Sequence, residues 1–357
     1  MLELFTIASI MKLFSSLSFI IMLISVMVIT GIMKSKEILS PIYSILCRYI
    51  SNKKALLTCL TTLYGILPVP SRVTVTAALL DTMVDKNKDN SKMGILSYIT
   101  THHYYLWSPL EKSVLIAMSG LGLSYSAFMG YMVWPLLLSF VVICGYIIFF
   151  MKDTDLQGFG EQTEEEMSWS KRLDFLLLMG LILLNAFSVF PVISIGLLQI
   201  EGMTWSALSF ASYLIMKHLP AKCNLTAFVH WDLIGFTTAV IIFGWVVGAF
   251  SSYIMAFIGA ISLSQGLLLA CLIGFASSFL LGSSSRYAAI AVILTKIFGI
   301  KYFILFYIID YVGYLLSPAH KCLVIGQTYF KTKMVDYLKV ILVLCITLLI
   351  LAVIMVL

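Results

Sequence analysis

Apolar runs, each ended by a short polar or basic cluster, recur from Met11 to Leu357. The first, near residues 13–33, is long enough as a helix to cross a hydrocarbon layer about 30 Å thick. Residues 34–54 (KSKEILSPIYSILCRYISNKK) are basic and amphipathic, which suits a helix lying in the membrane interface. Residues 55–83 hold two apolar arms around Pro68-Val69-Pro70-Ser71-Arg72. Each arm has only about a dozen residues, too few to cross, so the segment predicts a re-entrant hairpin. Residues 93–126 are long enough, yet Trp107-Ser108-Pro109-Leu110-Glu111-Lys112 interrupts them. Proline removes a backbone donor, and Glu111 and Lys112 would be costly facing lipid. A broken helix is expected, with its break inside the protein. A clean span follows at 128–151, and residues 152–171 form the most polar stretch, an acidic linker.

The second half repeats this plan. Three apolar stretches lie near 173–198, 203–219 and 233–261, followed by a second hairpin at 265–298 around Gly282-Ser283-Ser284-Ser285-Arg286. A second broken helix, 302–330, is interrupted by Ser317-Pro318-Ala319-His320-Lys321, and a last span follows from residue 340. The breaks align as YLWSPLEK (Tyr105–Lys112) and YLLSPAHK (Tyr314–Lys321), and each hairpin tip carries Ser-Arg. Identical order in both halves reads as an internal duplication, with the first repeat at 1–151 and the second at 172–357. An odd number of crossings between the hairpins turns the copies over. The cytoplasmic face then collects most of the lysines and arginines, as the positive-inside rule requires. Both termini are expected outside. The predicted fold is an all-α polytopic membrane protein of about eight spanning helices, two of them broken, plus two re-entrant hairpins in inverted repeats.

Composition agrees: 61% of the residues are apolar, 11% are charged, and mean hydropathy is +1.03. That excludes a soluble globular chain. The polar loops are too short to fold alone, so one membrane domain is expected. The net charge of +6 sits in loop lysines, which argues against nucleic acid as a partner. Seven cysteines show no CxxC spacing and read as buried thiols. The basic-poor start and the long first run predict a retained span rather than a cleaved signal.

Discontinuous helices in inverted repeats are a common architecture of secondary transporters, with the substrate held where the breaks meet. The second arm of each hairpin begins at Ser71/Arg72 and at Ser284/Ser285/Arg286. A half-helix N-terminus offers free N–H groups and a positive dipole end, and arginine adds a planar fork for carboxylate or phosphate. Ser108, Lys112, Ser317 and Lys321 complete the expected substrate-binding set. Candidate coupling residues are His320, Glu111, Asp81 and Asp310, because ionisable groups at membrane depth bind protons or cations. The bland readings are an arginine snorkelling to the interface and a Glu111–Lys112 pair. The neighbours His102 and His103 cannot both chelate from one helix face. With no third ligand in register, neither a metal site nor a cofactor is expected.

In this pattern the chain resembles the ion transporter superfamily, which includes divalent-anion/sodium symporters and gluconate permeases. Within it, DYVGYLLSPAHKCLVIGQTYFK (Asp310–Lys331) resembles the DUF401 family of prokaryotic integral membrane proteins. The resemblance implies a prokaryotic plasma membrane, a homodimer formed through a scaffold part, and a transport part that moves elevator-fashion. Sodium-coupled dicarboxylate members carry Ser-Asn-Thr at the hairpin tips, where this chain has Pro-Ser-Arg and Ser-Ser-Arg. The expected function is secondary transport of a small organic or inorganic anion coupled to H+, with His320 carrying the proton and Na+ coupling as the alternative. Two alternatives belong to other classes. One is a membrane enzyme acting on a phosphorylated lipid with His320 as base; the other is an uncoupled channel.

Overall fold

The structure is a computed structural model. It describes residues 7–36, 38, 42–66, 90–109, 111–152, 168–186, 190–191, 193–195, 198–200, 202–220, 224–229, 231, 234–235, 238–239, 242, 263–282, 284–320, 322–323 and 330–357. The helices are α1 Ile7–Ser35, α2 Ile42–Tyr49, α3 Lys53–Ile66, α4 Ser91–His102, α5 Lys112–Leu121 and α6 Tyr125–Phe150. They continue with α7 Trp169–Ala186, α8 Gly202–His218, α9 Leu263–Leu281, α10 Ser284–Phe298, α11 Phe303–Leu316 and α12 Met334–Ile354. Short 3-10 turns at His103–Leu106, Leu225–Phe228 and Ile300–Tyr302 lie between them.

Three of these helices are long and apolar enough to cross a membrane: α6, residues 263–280 of α9, and α12. Their outer faces expose Trp134, Leu137, Val141, Leu268, Leu272, Val343, Ile346 and Ile350. Apolar area on that scale marks a surface solvated by lipid. α4 and α11 are different, because nearly every residue from Met93 to His102 and from Phe303 to Leu315 is buried. A helix buried all round sits at the centre of the bundle. α4 packs on α3, α6 and α12, while α11 packs on α9, α10 and α12. α5 lies along α10, and α6 meets α12.

The local sequence explains where helices stop. Gly122, at φ +67°, ends α5 in the left-handed conformation, and Leu123 N–H returns to the Met118 carbonyl. Ser124 starts α6 by accepting from Ala127 N–H. Gly282, at φ +54°, turns α9 into α10.

Several expectations need correction. The first broken helix ends at Leu121 rather than 126, where Gly122 caps it. The fold is helical but not purely so: α7 ends at Ala186, and Ile193–Ile195 pairs antiparallel with Leu198–Ile200 where a span to 198 was expected. Pro191 and the β-branched run Val192-Ile193 disfavour continued helix and favour strand. α9 has 19 residues, long enough to cross although expected as a short re-entrant arm. α3 and α10 are short helices of 14 and 15 residues overlapping the segments 55–83 and 265–298. The other arm of the first hairpin, the acidic linker and most of 233–261 lie outside the described residues.

Candidate functional site

Both Ser-Pro breaks fold into the same turn. Glu111 N–H donates to the Ser108 carbonyl at 3.0 Å, and His320 N–H donates to the Ser317 carbonyl at 3.1 Å. Each is a four-residue turn with proline in its second place, where a fixed φ suits it. Ser108, Glu111, Ser317 and His320 are all buried.

A helix that stops inside the protein leaves its last carbonyls without partners, and water cannot supply them there. Tyrosines of the opposite break fill this need. From α11, Tyr311 donates to the His102 carbonyl at 3.1 Å and Tyr307 to the Tyr105 carbonyl at 2.8 Å. In return Tyr98 of α4 donates to the Leu315 carbonyl at 3.1 Å. Between them, the Tyr105 hydroxyl donates to the Tyr314 hydroxyl at 2.7 Å. The offset of 209 residues that relates Tyr105 to Tyr314 also relates Tyr98 to Tyr307 and Glu111 to His320. Of these three pairs, Tyr105 and Tyr314 touch directly.

Beside this contact lies a small cavity lined by Tyr105, Ser113, Ala288, Tyr307, Asp310, Tyr311 and Tyr314. Ser113 is in the first turn of α5 and Ala288 in the second turn of α10, so each of these helices gives the cavity one residue from its N-terminal half. Asp310 is buried, with one carboxyl oxygen accepting from the Ser278 hydroxyl of α9. Its other oxygen, Oδ2, has no hydrogen-bond partner among the described residues. Glu111 and Asp310 both lie within electrostatic reach of the Tyr307 hydroxyl.

The α9–α10 turn meets the second break directly. Ser317 Oγ donates to the Phe279 carbonyl at 2.6 Å, and a Cβ on Gly282 would come within 2.7 Å of the Ala319 backbone. Ser284, Ser285 and Arg286 form the first turn of α10, and Lys112 opens α5. Ser71, Arg72, Asp81 and Lys321 lie outside the described residues. A family described as "Protein of unknown function (DUF401)" matches residues 1–357. The chain belongs to this family. No curated protein matches the sequence.

The DUF401 chain holds functional candidates that its sequence pattern concealed. His102 and His103 diverge: Trp107 Nε1 donates to His103 Nδ1 at 2.8 Å, while His102 turns inward to His320, Nε2 to Nε2 at 3.3 Å. His320 is thus enclosed by Tyr98, His102 and Tyr314. A third donor, Cys322, brings one atom from each of the three within 4.8 Å of the others. No local spacing predicts this trio, because His102 and His320 stand 218 residues apart. The tyrosines could have been found by extending the alignment of the breaks backwards by one heptad. Asp174 is a second concealed group: it is buried and takes Tyr213 Oη, Lys217 Nζ and His218 Nε2 at 2.8, 2.8 and 2.7 Å.

Proposed function

We propose that this DUF401 member is a secondary active transporter of a small anion, built from two inverted copies of one hairpin-and-broken-helix unit. The observation that carries the reading is the direct contact between equivalent tyrosines, Tyr105 and Tyr314, at two identical turns buried side by side. Broken helices at the centre of a membrane protein are a feature of carriers, which use the half-helix ends to hold substrate. The N-terminal halves of α5 and α10 point to an anion, since each gives one cavity a residue near its positive dipole end. Ser284, Ser285, Arg286 and Lys112 are the cations and hydroxyl donors for it, with Ser71, Arg72 and Lys321 as their counterparts.

From the residues expected for coupling, we choose Asp310. A buried carboxylate is costly to ionise, and Asp310 has the Ser278 hydroxyl and the Ala291 backbone N–H beside it, a setting suited to exchanging a proton or a small cation. Glu111 shares the neighbourhood of Tyr307. Assignment to the ion transporter superfamily, a homodimeric scaffold and an elevator motion extend this reading.

The test uses the purified full chain in liposomes preloaded with unlabelled small carboxylates and oxyanions. Counterflow of the labelled anion without chemical change is expected. Turnover of a phosphorylated lipid without counterflow would replace the carrier by an enzyme, and sustained single-channel current would replace it by a channel.

A further inference from the structure

We propose that His102, His320 and Cys322 form a binding site for a divalent metal ion of zinc type, which fastens the end of α4 to the second break. The Tyr98 carbonyl only accepts, so His102 Nδ1, at 2.6 Å from it, carries the proton and Nε2 carries the lone pair. The Leu315 carbonyl lies in the last turn of α11 and lacks an intrahelical donor, a need that the Tyr98 hydroxyl meets. Having spent its proton there, that hydroxyl accepts from His320 Nδ1 at 2.7 Å. The lone pair of His320 is then also on Nε2, 3.3 Å from that of His102.

Two imidazole lone pairs directed at each other repel unless a cation lies between them. For Zn–N bonds of about 2.0–2.1 Å, the edge of a tetrahedron is about 3.3–3.4 Å. The nitrogen pair already has that spacing. A tetrahedral N–Zn–S edge is about 3.5 Å, so the Cys322 sulfur has about 1 Å to close from the observed limit. Two imidazoles and a thiolate suit zinc, and three protein ligands leave a fourth position for water or an anion. The outer shell is unusual in its economy, because Tyr98 alone orients both histidines, one through its carbonyl and one through its hydroxyl. Such partners fix tautomer and ring orientation at metal sites. His102 and His320 are both buried, and the rings of Tyr105 and Tyr314 flank them.

This site stands apart from the transport reading, since its metal can be measured without any transported substrate. The full chain in detergent is stripped with chelator and titrated with Co2+, then with Zn2+. About one Co2+ per chain should bind, with a tetrahedral ligand-field spectrum and a sulfur-to-cobalt charge-transfer band, and Zn2+ should bleach both. Cys322→Ser should remove the charge-transfer band, and His102→Ala should weaken binding by about tenfold or more, while Cys59→Ser changes neither. Wild-type protein that binds no Co2+, or binds it with an octahedral, sulfur-free spectrum, overturns the proposal whatever the variants do. So does a charge-transfer band that survives Cys322→Ser.

Discussion

Tyr98 and Asp310 show how much of the centre rests on single side chains. The Tyr98 hydroxyl serves both the Leu315 carbonyl and His320, so Tyr98→Phe should cost about 1–3 kcal/mol, the usual penalty for stranding buried polar groups. Thermal unfolding in detergent should register this loss, with Tyr49→Phe, at a position 84% exposed, as the silent control. For Asp310 the expected effect is functional. Asp310→Asn should keep anion counterflow yet lose accumulation against a gradient, because an amide takes up no proton near neutral pH and brings no negative charge to a cation. Retained accumulation would remove Asp310 from coupling. Gly282 tests the packing of hairpin on break. Gly282→Ala should destabilise more than Gly122→Ala, since both have positive φ, worth about 1–2 kcal/mol, but only Gly282 also faces backbone, at Ala319. Residue type and position alone were enough to single out Asp310, Glu111, Ser317 and His320, since polar groups inside apolar runs are conspicuous. Their partners Ser278, Tyr98 and His102 were not legible, because each arrives from a distant segment through tertiary packing.

At the scale of elements, the breaks were the readable features. Pro109, Pro318 and Gly282 act locally, so the chain interrupts its helices near where the sequence predicts, whereas the stop at Gly122 was not read. The antiparallel pair at 193–200 was hidden because its residues are as apolar as the helix before them, and apolar runs of that length do not distinguish strand from helix. Charge hid a second feature. Asp174, near the start of α7, lies just inside the stretch read as apolar near 173–198, and it clasps three side chains from the last two turns of α8. Asp174→Ala should destabilise the α7–α8 pair by about 1–3 kcal/mol. That is below the cost of a fully buried pair, because the Lys217 side chain keeps 25% of its exposure. Faster amide exchange confined to α7 and α8 would be the signature. Unchanged exchange there would show that the clasp contributes nothing.

For the whole molecule, mean hydropathy and exposed apolar faces agree on a lipid-solvated helical bundle, and the sequence made that part plain. The relation between the halves was legible only as a short repeated motif. Its significance comes from the contact of Tyr105 with Tyr314, which no composition or periodicity could supply. Transport through the proposed site requires inverted copies, since parallel copies would place the proposed hairpins on one face and dissolve the proposed anion cavity. Labelling cysteines with a membrane-impermeant reagent, at Lys88→Cys and Lys301→Cys in intact cells and in inverted vesicles, measures this directly. Lys88→Cys should react only from the cytoplasmic side and Lys301→Cys only from the outside; reaction of both from the same side would contradict the inverted architecture and the transport site built on it.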